Sequence, residues 1–132
     1  MSIVDLINQL PIEEQLKIKQ IIIKGENLTK NELINQLDNW ASQQNNYFYS
    51  CYQQMKEGFY EAKSILDNKH NQLISKQPLD IQNIDKQIRE INNNPNITIK
   101  QENEQINQLI NSLPQNISQI IIQLAPYQAM NL

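Results

Sequence analysis

The sequence predicts an all-α fold: an elongated helical hairpin or bundle built on one long central helix, over about residues 30–76, with shorter helices packed along it. Three observations carry this prediction. The 132 residues hold one valine, two threonines and two glycines, too few for the β-branched positions and tight turns of a strand-rich fold. Isoleucine occurs 22 times and is itself β-branched, so its spacing has to decide, and the spacing is helical. Leu33, Leu37, Trp40, Gln44, Phe48, Cys51, Met55, Phe59, Ala62, Leu66, His70 and Leu73 follow steps of four, three and four, an eleven-residue repeat in which only Gln44 and His70 are polar. A period of about 3.67 residues per turn keeps such a stripe on one face of a straight α-helix. No proline falls between Pro11 and Pro78 to interrupt it.

Taken in order, Ser2 caps a short helix whose apolar residues are Ile3, Val4, Leu6, Ile7 and Leu10. Pro11 opens a second helix that reaches Lys24 and stops at Gly25, completing an N-terminal helical pair over 1–24. Glu13 and Glu14 in its first turn and Lys24 in its last suit the helix dipole. Thr29 followed by Glu32 is a capping box at the head of the long helix. About 47 residues at about 1.5 Å each make a rod of roughly 70 Å, whereas a compact domain of this size has a radius of gyration of about 14 Å. The rod therefore either breaks, at Asn45-Asn46, Gly58 or Asn68, or the molecule is elongated. The stripe keeps its phase across all three positions, which favours elongation, with Leu37, Phe48, Met55, Phe59 and Leu66 buried on one side.

Pro78 ends the rod, and Asp80 caps a returning helix over 79–93 that carries Ile81, Ile84, Ile88 and Ile91. The run Asn92-Asn93-Asn94-Pro95-Asn96 is a loop. Thr98 caps a last helix over 98–125, with Ile106, Ile110, Leu113, Ile117, Ile120 or Ile121, and Leu124 on one face. The spacing runs through Pro114 in phase, so Pro114 is expected to kink one helix instead of separating two. The whole chain, 1–132, is expected to form a single helical domain.

Composition narrows function mostly by exclusion. A formal charge of −3 argues against a phosphate-backbone binder, so no nucleic acid is expected as a partner. The N-terminus lacks a basic start followed by an apolar core, and the longest apolar run, residues 120–122, is too short for a bilayer; a cytoplasmic protein without membrane contact is expected. Asn and Gln together make 38 residues while Arg89 is the single arginine, a bias that an AT-rich genome writes, as in a low-GC bacterium or its phage. One cysteine, one histidine and two glycines leave no disulfide, two-histidine metal site, cysteine cluster or phosphate loop. No cofactor, metal ligand or catalytic residue is expected, and an enzyme is the least favoured reading. His70, on the apolar seam, reads as a polar layer of the core, and Cys51 as packing.

The candidate partner-binding residues come from two places. Seven of the eight aromatics lie between Trp40 and Tyr60, and Tyr49 and Tyr60 fall opposite the apolar stripe, where they either pack the N-terminal helices or meet a partner. Residues 105–132 contain no charged side chain. The face carrying Ile117, Ile120, Ile121 and Leu124 thus lacks the usual safeguards against association. The expected function is a non-catalytic helical protein–protein interaction module, an adaptor, assembly factor or small chaperone acting through apolar helix faces. The alternative is a small inhibitor or immunity protein that occludes its partner. Another protein is the expected partner, with self-association into a homodimer through the rod or the uncharged last helix.

Overall fold

The computed structural model describes residues 1–124, and those residues form an all-α architecture on one long central helix. Seven α-helices follow in order: α1 Ile3–Asn8, α2 Ile12–Lys24, α3 Lys30–Ser42, α4 Asn46–Ser75, α5 Leu79–Asn92, α6 Ile99–Asn111 and α7 Gln115–Leu124. A 3-10 turn at Gly25–Asn27 joins α2 to α3. Local chemistry sets most boundaries. Ser2, Thr29 and Thr98 each accept a hydrogen bond from the main-chain N–H three residues on, and Asp5, Glu32 and Gln101 return it, so α1, α3 and α6 all open with a capping box. Pro11 and Pro78 stand immediately before α2 and α5 in an extended conformation that suits the residue ahead of a helix.

The expected continuous helix over 30–76 is two helices. α3 ends at Ser42, and Asn45 takes an extended conformation and accepts the Phe48 N–H at 2.8 Å, capping a new helix. Gln44, one of the two polar residues on the seam, explains why the break falls there: its side-chain amide donates to the Trp40 carbonyl at 3.0 Å and to Glu14 at 2.9 Å, satisfying the end of α3 and tying it to α2. The chain turns back at this junction, so the two halves of the stripe face each other: Trp40 meets Phe48, Asp38 meets Tyr52 and Lys56, and Ile34 shares a crevice with Tyr60. Pro114 likewise separates two helices instead of kinking one. α6 closes at Ser112, and the Pro114 carbonyl accepts from Ile117 and Ser118 as α7 begins. The last residue expected in that helix, 125, lies outside the described residues.

Packing gathers into two apolar cores. Leu6, Leu10, Ile18, Trp40, Ala41, Phe48 and Tyr52 form the first, from α1, α2, α3 and the start of α4, with Trp40 edge-on to Phe48 at 5.4 Å. Ile74, Ile81, Ile88, Ile121 and Leu124 form the second, from the end of α4 with α5 and α7, flanked by half-buried residues of α6. α4 joins them and buries residues only near its ends, Phe48 and Tyr52 at one and His70 and Ile74 at the other. Of the five residues expected to be buried on one side, Phe48 is buried, Leu37, Phe59 and Leu66 are half-buried, and Met55 is exposed at the edge of the crevice between α3 and α4.

Phe48→Ala should therefore cost about 3–5 kcal/mol, while Met55→Ala should cost less than about 1 kcal/mol. Urea unfolding followed by circular dichroism checks both, and equal losses at the two positions would contradict this division of the stripe.

Candidate functional site

The described chain contains two helix–loop–helix units, α2 with α3 and α5 with α6, and their loops meet. The Ile99 N–H donates to the Leu28 carbonyl at 2.9 Å, a main-chain bond between the end of one loop and the end of the other. Leu28-Thr29 and Ile97-Thr98 are equivalent positions: an apolar residue, then the threonine that caps the outgoing helix. In the first loop, Gly25 lets the chain run close to Leu33, whose Cδ1 would stand 3.1 Å from an added Cβ.

An ion pair reinforces this junction. Lys30, at the head of α3, reaches Glu102 Oε1 of α6 at 2.6 Å and the Asn92 main-chain oxygen at 2.8 Å, so one ammonium ties three helices. Glu102 is buried. A second buried carboxylate, Asp85 on α5, lies 2.6 Å from His70 Nε2 of α4 and forms an ion pair with Arg89 Nε at 2.8 Å. His70 is thus the polar element of the second core, carried on an α4–α5 bond. At the first core, Asp38 of α3 accepts the Tyr52 hydroxyl at 2.7 Å and Lys56 Nζ at 2.9 Å, both from α4. Partial burial would raise the Asp38 pKa, but the Tyr52 hydroxyl and the Lys56 ammonium outweigh it and hold the carboxyl below the ordinary aspartate value. Burial, reinforced by the hydrogen bond to Asp38, pushes the Tyr52 phenol up, so it stays a proton donor through the physiological range.

The residues marked by the sequence as partner-binding divide. Tyr49 is half-buried against the first core. Tyr60 is exposed, edge-on to Phe59, and lines an apolar crevice of about 170 Å³ between α3 and α4 with Ile34, Leu37 and Phe59. The two tyrosines therefore do not share one exposed patch. Ile121 and Leu124 are buried in the second core, and Ile117 and Ile120 are half-buried against it. In the folded chain this face of α7 thus packs on the second core, with Ile117 and Ile120 at its edge. The apolar face left open instead is on α2: Ile12, Leu16 and Ile23, at 67, 55 and 67 % exposure, fall within about 40° of one another around the helix. The signal was in the sequence, since α2 carries six Ile and Leu residues and one stripe needs only about half of them.

The profile of the SXP/RAL-2 family, described as "SXP/RAL-2 family protein Ani s 5-like, metal-binding domain", matches residues 1–129. This chain belongs to the SXP/RAL-2 family. No curated protein and no solved structure matches it. The family description names a metal, and the donor chemistry of this member does not fit one. Among the described residues no group of three or more His, Cys, Asp or Glu side chains stands close enough to hold an ion, and residues 125–132 contain none of those four types. Helix–loop–helix calcium sites draw oxygen ligands from a twelve-residue loop rich in carboxylates. Here residues 25–29 offer Glu26 alone and residues 93–98 offer no acid. Among the described residues no helix is long and apolar enough to cross a membrane.

The Asp38 contacts set a pH dependence with a definite sign. A carboxyl held below its unfolded value lends stability above that value and loses it as pH falls through the folded one. Asp38→Asn should cost about 1 kcal/mol at pH 7, and the gap to the parent should shrink below about pH 4. Urea unfolding at both pH values measures it; a gap that widens in acid contradicts the assignment.

Proposed function

We propose that this SXP/RAL-2 protein is a non-catalytic helical interaction module, an adaptor or assembly factor, that docks through the open apolar face of α2 and takes a second copy of itself as its first partner. The supporting observation is that face. Ile12, Leu16 and Ile23 line up on a 13-residue helix, beside an open groove whose floor includes Trp40 and Ile21. Three large apolar side chains in register on one exposed helix face are more than the scattered singles normal at a protein surface.

Charge favours a second copy. α2 is acidic at its start, Glu13 and Glu14, and basic at its end, Lys24. Laid antiparallel on its own image, it sets Ile12 against Ile23, acidic ends against basic ends, and opposed helix dipoles side by side. Such a contact is isologous, the commonest symmetry of soluble oligomers. A heterologous helix of the same polarity would meet the same pattern, which is how an adaptor would exchange self-pairing for a partner.

Light scattering coupled to gel filtration at micromolar concentration should give about twice the 15.5 kDa chain mass. Leu16→Glu with Ile23→Glu should return the mass of one chain while changing Tm little, because these side chains are exposed in the single chain. A wild-type mass of one chain, or a double variant that still dimerises, contradicts the proposal.

A further inference from the structure

We propose that this chain is a metal-independent member of its metal-binding family, in which the Lys30 ammonium joins the two loops in the way a bound cation would. The observations are local to the loop junction. Lys30 Nζ sits between a buried carboxylate oxygen, Glu102 Oε1 at 2.6 Å, and a main-chain carbonyl oxygen, that of Asn92, at 2.8 Å. Carboxylate and carbonyl oxygens are the ligands that hard divalent cations take, and here a lysine takes them, from α3 to the end of α5 and into α6. The bond from the Ile99 N–H to the Leu28 carbonyl closes the same junction through the main chain.

The surroundings repel a further cation. The cavity beside the junction, about 300 Å³, is lined by Lys30, Lys63 and the asparagines 92–94, with no carboxylate. Asn92 Oδ1 is buried without a hydrogen-bond partner among the described residues, but it is an uncharged oxygen beside a carbonyl already bonded to the ammonium. Elsewhere the shielded carboxylates are engaged by the chain's own cations: Asp85 by Arg89, and Asp38 by Lys56. A divalent ion entering any of them would first have to displace a tethered ammonium or guanidinium, whose effective concentration is high because it is part of the chain.

The test is a thermal melt of the tag-free full chain, stripped with EDTA and then returned to millimolar CaCl2, MgCl2, MnCl2 or ZnCl2 at matched ionic strength. A folded-state site of micromolar affinity would raise Tm by several degrees; the expected change is below about 2 °C for every ion, and a larger, saturable rise with any of them overturns the proposal. Lys30→Met should lower Tm clearly, because it leaves Glu102 buried and unpaired, and adding Glu102→Leu should restore most of the loss. A Lys30→Met chain as stable as the parent overturns the role given to the ammonium. Should Lys30→Met alone not fold, the Lys30→Met, Glu102→Leu chain carries that arm: a fold recovered by the second change supports the pair, and one not recovered contradicts it.

Discussion

A helix of 30 residues is too long for a chain of this size to cover, and the rest of the structure follows from that constraint. α4 runs about 45 Å, and the helices available to pack on it are 6 to 14 residues long. They gather where packing is most efficient, around Phe48 and Tyr52 at one end and around His70 and Ile74 at the other. Two cores result, and α4 is the strut between them. Each end carries a polar bond from α4 to a neighbouring helix, Tyr52 and Lys56 to Asp38 on α3 and His70 to Asp85 on α5, which orients that neighbour on the strut. Away from the strut the two halves meet again at their loops, where Leu28 bonds Ile99 and Lys30 bonds Glu102. The molecule is closed twice, once by a helix and once by an ion pair.

That arrangement decides which side chains are engaged inside the fold and which are left at its surface. The shielded carboxylates serve internal joints, so the polar interior is committed to architecture. The face of α7 that looks vulnerable in the sequence, uncharged over its whole length, is the lid of the second core through Ile121 and Leu124. α2 has the opposite character. Ile18 and Ile21 serve the first core, and Ile12, Leu16, Ile22 and Ile23 are left over, on a helix whose charges run from acidic to basic along its axis. A family described by its metal thus has, in this member, no cluster of three metal-ligating side chains among the described residues and an uncovered apolar stripe on α2.

Much of this was legible in residue spacing. The capping box at Thr29, the cap at Thr98, the end of the long helix at Pro78 and the returning helix through Ile81 and Ile88 all sit where the sequence puts them, because caps, prolines and three–four spacing are local rules; Asp80, expected to cap the returning helix, lies inside its first turn instead. The break at Asn45 was not resolved by periodicity, since α3 and α4 turn their apolar sides toward each other across the reversal and the spacing continues through it; the polar seam residue Gln44 beside a capping asparagine was the better sign. The buried acids were missed for a related reason. Asp85 and Glu102 look like ordinary surface acids of amphipathic helices, and only their distant partners, His70 fifteen residues away and Lys30 far earlier in the chain, make them internal. The pairing of the two helix–loop–helix units was equally hidden, because it shows in the sequence only as the faint echo of Leu28-Thr29 in Ile97-Thr98.

The central claim, that α4 is held at its two ends and spans a gap between, is tested most directly by native-state hydrogen exchange along that one helix. Every amide in its interior is hydrogen-bonded within the helix, so differences in exchange report packing and not bonding. Amides 51–53 and 73–75, around the buried Tyr52 and Ile74, should exchange at least about tenfold more slowly than amides 62–66. Uniform protection from one end of α4 to the other, or a maximum at its centre, would contradict the account.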